Sequence, residues 1–218
     1  MIRIPMLAAA LAAAAPAFAA DVQITEWMYK GNGPEYIEFT NMGSAAVDLS
    51  GWSYDDDSRL PGAFDLSAFG TLAVGESVVI TEGDADAFRA SWALPATLAV
   101  LGGYTNNIGR DDEINLFDAL GNVADRLAYG DEAFPGTIRT NTSSGNPTSL
   151  AALVPTAVTA DWVLAVTGDA FGSVMSAEGD VGNPGRFVFA PAPVPEPASL
   201  ALMLAGLGIV GAVARRRG

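Results

Sequence analysis

The chain has 218 residues, with 25 acids against 11 basic residues and neither cysteine nor histidine. Without His or Cys there is no Ser-His-Asp or Cys-His catalysis, no thiolate chemistry and no usual zinc or copper ligand set. Carboxylate chemistry and oxygen-bound metals such as calcium remain. Arg3, Arg215, Arg216 and Arg217 sit at the ends and every acid lies between Asp21 and Glu196, so residues 20–197 hold 7 basic against 25 acidic side chains, net −18. Such a body repels phosphates and anionic head groups, and no nucleic acid partner is expected.

Met1 to Ala20 has a positive start at Arg3, an apolar stretch rich in Ala and Leu, and Ala17-Phe18-Ala19 as an A-x-A site. This pattern predicts a signal helix, a secretory signal peptide over residues 1–19, cut after Ala19 by signal peptidase with Ala17 and Ala19 as the small residues it needs. Val22–Tyr29 partly alternates apolar and polar residues and reads as a strand. Lys30–Pro34 is turn chemistry, and Glu35–Asn41 is a second strand with Ile37 and Phe39 on one face and Tyr36, Glu38 and Thr40 on the other. In Val47–Trp52, Val47, Leu49 and Trp52 are core candidates. Gly70–Glu76 is a turn feeding the strand Ser77–Thr81.

One short helix is expected: Asp84 is placed to cap it, and Phe88 and Trp92 lie four apart on one face. Asp112–Asp118 and Val123–Tyr129 are strands joined by a hairpin at Ala119–Asn122. Thr137–Ser149 reads as loop, Asp161–Val166 as strand, Gly179–Gly185 as turn and Arg186–Phe189 as a last short strand. Many short strands between Gly/Asn/Asp turns predict an all-β sandwich or barrel over residues 20–189.

A Pro-rich linker, residues 190–197, then holds Val194-Pro195-Glu196-Pro197. It is followed by 17 uncharged, largely apolar residues, Ala198–Ala214, and by Arg215, Arg216 and Arg217 in the basic end 215–218. The apolar run is long enough for a single transmembrane helix, and the arginines hold its end in the cytoplasm.

The ordered set Ile24-Thr25-Glu26, Glu35–Asn41, Val47–Trp52, Leu72–Ile80, Asp112–Asp118, Gly121–Gly130, and Trp162 with Gly182-Asn183-Pro184-Gly185 resembles the lamin-tail domain over about residues 22–186. The resemblance implies an immunoglobulin-like β-sandwich; Phe134–Ala160 departs from the pattern. The tail resembles the PEP-CTERM sorting signal. That resemblance implies a Gram-negative bacterium and cleavage near Pro195-Glu196-Pro197 by exosortase, a membrane transpeptidase. It further implies delivery to the cell surface or the exopolysaccharide matrix after transient anchoring. The prolines favour an extended segment that such an enzyme can bind.

Within the body, Asp55-Asp56-Asp57 and Asp111-Asp112-Glu113 offer calcium ligands, with Asp55, Asp57, Asp111 and Asp112 as the candidates. Each run also reads as a solvated acidic loop. Glu35 with Glu38, or Glu26 with Glu38, is a candidate carboxylate pair for glycoside cleavage, although in the resembled family these acids belong to the strand framework. Trp27, Tyr29, Tyr36 and Tyr54 are candidates for a sugar-binding face, whereas Trp52, Trp92 and Trp162 read as core. The expectation is an exported non-enzymatic surface or matrix protein, with a carbohydrate- or calcium-binding adhesin module as the alternative.

Overall fold

The computed structural model describes residues 21–130 and 138–188. The expected signal peptide and its Ala17 and Ala19, the sorting residues Val194–Pro197, the apolar run Ala198–Ala214 and Arg215–Arg217 lie outside the described residues. Among those described, no helix is long and apolar enough to cross a membrane.

The strands are short and follow one another closely: β1 (Val22–Met28), β2 (Tyr36–Asn41), β3 (Val47–Asp48), β4 (Ser53–Asp55), β5 (Phe64–Asp65), β6 (Thr71–Leu72) and β7 (Ser77–Thr81). The helix α1 (Ala85–Ser91) comes next. It is followed by β8 (Val100–Gly102), β9 (Asp112–Phe117), β10 (Val123–Tyr129), β11 (Gly145–Pro147), β12 (Trp162–Leu164), β13 (Val174–Met175) and β14 (Val181–Gly182). Among the described residues, β12-β11-β1-β2-β7-β8 form one sheet and β10-β9-β4-β5 a second, with the small pairs β3-β6 and β13-β14 beside them. Among the described residues, the pairings between these strands are antiparallel except β7 with β8.

The two main sheets face each other over one apolar core. Ile24, Trp27, Ile37, Phe39, Val78 and Ile80 come from the first; Tyr54, Ile114, Leu116, Leu127 and Tyr129 come from the second. The chain is therefore all-β and built as a sandwich. Trp27 is central, with Tyr129 at 5.3 Å and Trp162 edge-on at 5.0 Å between ring centroids. Apolar burial of this kind drives such a fold together.

The imperfect alternation of β1 has a physical cause. Its register on β2 slips between Ile24 and Glu26, a β-bulge that turns Thr25 and Glu26 away from the core while Ile24 and Trp27 both point into it. At the bulge the Ile24 N–H is taken by Asp125 of β10 at 2.7 Å, a stitch between the sheets.

Two expectations are corrected. Residues 137–149 are not all loop, because β11 lies next to β1 with Trp27 opposite Gly145. A Cβ on Gly145 would stand 2.6 Å from the Trp27 ring, so only glycine lets the strand approach. Nor is Arg186–Val188 a strand. Asn183 donates its Nδ2 to the Arg186 carbonyl and accepts from the Arg186 N–H, which closes a turn instead, and the last strand among the described residues is β14.

Candidate functional site

The outer face of the first sheet is covered as well as the inner one. Met28, Tyr36, Val79 and Val100 lie under α1, against Phe88 and Trp92. As expected, Asp84 caps that helix, accepting from the Asp86 and Ala87 N–H groups. Beside this apolar half lies a polar half: Thr25, Glu26, Glu38, Thr40, Ser77 and Ser144, all buried. The segment from Ser173 to Arg186, carrying β13 and β14, closes over it as a cap.

Glu26 and Glu38 stand opposite each other in the β1–β2 register, each fully shielded from solvent. Glu26 Oε1 accepts from Tyr36 Oη at 2.7 Å, from Ser144 Oγ and from the Asn183 N–H of the cap at 2.8 Å. Its Oε2 has no hydrogen-bond partner. Glu38 Oε1 accepts from Thr25 Oγ1 at 2.5 Å, and its Oε2 accepts from the Gly185 N–H at 2.7 Å. Thr40 Oγ1 and Ser77 Oγ extend this network at 2.8 Å. Burial drives the pKa of both carboxyls upward, and the charge of Glu26 raises that of Glu38 further. The pair titrates as a unit.

The cap fits because of its glycines. A Cβ on Gly182 would strike the Tyr36 hydroxyl and stand 3.0 Å from Glu26 Oε1. Gly185 has a φ of 82° and packs against Leu98. Asp180 holds the other end, accepting from the Asn32 N–H at 2.8 Å and the Gly33 N–H at 2.8 Å. On its outer side Pro184 and Arg186 line a groove of about 360 Å³ with Leu94, Leu98 and Val174.

Of the two candidate carboxylate pairs, the structure forms only Glu26 with Glu38. Glu35 belongs to a different cluster: it accepts from the Ile108 N–H at 2.9 Å, and burial, with Glu82 nearby, pushes its pKa up to about 8. The aromatic sugar face is corrected. Trp27, Tyr29, Tyr36 and Tyr54 are all buried, the first three in the packing of β1 and β2 and Tyr54 against Tyr104. Trp92 and Trp162 are buried as expected, and Trp52 is half-buried against the core.

The calcium candidates divide. Asp55 is buried, and its carboxylate is occupied by Ser58 Oγ at 2.7 Å, the Leu60 N–H at 2.5 Å and Asn106 Nδ2 at 2.6 Å. It is a loop-shaping residue and leaves the candidate set. Asp57, Asp111 and Asp112 do converge on one groove of about 350 Å³, because β4 pairs with β9. Arg59 shares that groove, held by Glu113 through two bonds of 2.7 and 2.5 Å. Both Asp112 oxygens already accept main-chain N–H groups, from Gly109 and Glu113. Among the described residues, no group of three or more acids has metal-holding geometry.

The Lamin Tail Domain family matches residues 15–131. That is more than half of the chain. The chain belongs to the lamin tail domain family. The match ends just after β10, so β11 to β14 and the cap lie beyond it. A PEP-CTERM protein-sorting motif matches residues 193–217. The chain is therefore an exported protein addressed by exosortase sorting to a destination outside the cell or at its surface. No curated protein and no solved structure matches it.

The cap over Glu26 and Glu38 was not foreseen from sequence. Its only signal was Gly182-Asn183-Pro184-Gly185, which reads as an ordinary turn until the partners of its N–H groups are known.

Proposed function

We propose that this lamin tail domain protein is a non-enzymatic component of the cell surface or exopolysaccharide matrix, released to its site by cleavage near Pro195-Glu196-Pro197. The observation that carries this reading is the sorting motif over residues 193–217, set directly after a domain that begins just past a signal-peptide pattern. The apolar run Ala198–Ala214 acts as a temporary hold: it stops transfer, Arg215–Arg217 keep its end in the cytoplasm, and it is discarded once the Pro-rich segment is cut. The burial of Glu26, Glu38, Trp27 and Tyr36 supports a structural rather than a catalytic use of these residues. Replacing Glu196 with Ala in the native host is expected to leave an uncut form in the membrane fraction and to lower the surface-delivered amount several-fold. Undiminished delivery of the variant to the surface would count against the reading.

The second reading is a calcium-binding adhesin. It rests on the groove that brings Asp57 to Asp111 and Asp112, which lie more than fifty residues further along the sequence. Weak extracellular sites of about millimolar affinity are known in such settings. Calcium at about ten times that level would raise the melting temperature measurably by mass action. A melting curve indifferent to calcium disposes of this alternative.

A further inference from the structure

Glu26 and Glu38 are two carboxyls opposite each other in register and buried, and the groups that hold them are unequal. Glu26 Oε1 receives three donors while its Oε2 receives none. Two of the bonds to the pair come from main-chain N–H groups of the cap, Asn183 and Gly185. Other hydrogen bonds tie the cap to its surroundings. Val181 donates to the Thr142 carbonyl, Ser144 donates to the Val181 carbonyl, Ala177 donates to the Ser91 carbonyl, Ser91 Oγ donates to Glu178, and Asp180 holds Asn32 and Gly33. Its two strands are two residues each, and Val174 and Met175 remain exposed. The cap is thus a small element seated chiefly on polar contacts, over a sheet with a large apolar core of its own.

We propose that Glu26 and Glu38 form a proton-held latch that keeps the cap, Ser173–Arg186, closed over the sheet and opens it as the pair loses its proton. With a proton on the pair, one carboxyl is neutral and the site carries a single charge, which the Asn183 and Gly185 N–H groups, Tyr36, Ser144 and Thr25 can satisfy. When that proton leaves to solvent, two negative charges face each other across the β1–β2 register, both shielded from bulk solvent. Lifting the cap admits the water that hydrates both.

The donors on the pair, Asn183, Ser144 and Tyr36 on Glu26 and Thr25 and Gly185 on Glu38, favour the charged form, but burial outweighs them, and no cation is among the groups that act on either carboxyl among the described residues. Tyr36 from β2 and Asp169 from the loop before β13 act on Glu26, and both are neutral or negative. β7 presents Ser77 and the approach to β11 presents Ser144, both neutral. On the cap, Glu178 faces Ser91 and Asp180 faces Asn32 and Gly33. Arg186 lays its guanidinium over Gly172 on the outer side. The shift of both carboxyls toward the protonated form agrees with the geometry. Directly after the cap, Phe187 packs against the main core. The latch does not depend on how the sorting tail is processed.

The test is amide hydrogen exchange on the full chain in detergent from pH 5 to pH 9, corrected for intrinsic exchange rates. If one proton leaves on opening, protection at 173–186 falls by up to about tenfold per pH unit between the ordinary carboxylate range and the raised range of the closed pair, and levels off above it. Amides of β1, β2 and β7 are expected to change far less. In Glu38→Gln, and separately in Glu26→Gln, the loss of cap protection with pH is expected to flatten. Should one variant fail to fold, the other and the wild-type profile still decide. Three results would overturn the latch: cap protection independent of pH, cap and core losing protection together, or both variants keeping the wild-type profile.

Discussion

At Gly145 a single missing methyl group sets the spacing of two strands. The Trp27 ring occupies the space a Cβ would need, 2.6 and 2.7 Å away, and Ile138 closes the site at 3.0 Å. Neither an indole held between Tyr129 and Trp162 nor a strand paired on both sides can yield cheaply. Gly145→Ala is therefore expected to cost about 1–3 kcal/mol, the usual range for overpacking a tight core. In a domain of this size that lowers the melting temperature by about 2–4 °C per kcal/mol, measurable by thermal denaturation. An unchanged midpoint would mean that β11 can shift away from β1 without loss. The glycine itself was visible in the sequence. Its reason was not, since Trp27 stands more than a hundred residues away.

Among the elements, α1 and the cap divide the outer face of one sheet between them. The helix was legible because its signals are local: an Asp84 cap, and Phe88 and Trp92 one turn apart. Removing the cap side chain with Asp84→Ala leaves two N–H groups without their acceptor and is expected to cost about 1 kcal/mol, read as a lower urea midpoint. A midpoint equal to that of the wild type would assign α1 wholly to its packing on Tyr36 and Val79. The two faces of β2 were also legible, as Ile37 and Phe39 against Tyr36, Glu38 and Thr40. That the outer face is buried as well was not, because its cover arrives from Phe88 over one half and from 181–185 over the other. β8 was missed for a related reason. Val100-Leu101-Gly102 is too short to show a period, and it joins the sheet in parallel, at an edge fixed by β7.

For the molecule as a whole, charge sets the stability profile. Burial pushes the pKa of Glu35 up to about 8 and that of Asp125 up to about 7, and it raises Glu26 and Glu38 as well. Each of these groups binds its proton more tightly folded than unfolded. Their contribution to stability is whole below the ordinary carboxylate range and is lost as pH rises through 7 to 8. Glu113, Asp118, Asp48 and Asp65 act in the opposite sense. Arg59 lowers Glu113, and hydrogen bonds from Asn122, Ser50 and Ser67 lower the other three, so their contribution fades as pH falls below that range. The net −18 of residues 20–197 adds repulsion as pH rises. Urea midpoints are expected to be highest at about pH 5–6 and to fall toward pH 9. A midpoint that climbs steadily from pH 5 to pH 9 would contradict this assignment of the buried acids.

The whole chain is a lamin tail sandwich exported and addressed by its tail. Intact-mass spectrometry of the protein recovered from the surface of wild-type cells tests it most directly. The expected mature protein has its N-terminus at Ala20 and its C-terminus near Pro195-Glu196-Pro197, with 1–19 and Ala198–Gly218 both gone. A mature protein that still carries Ala198–Gly218 would contradict it.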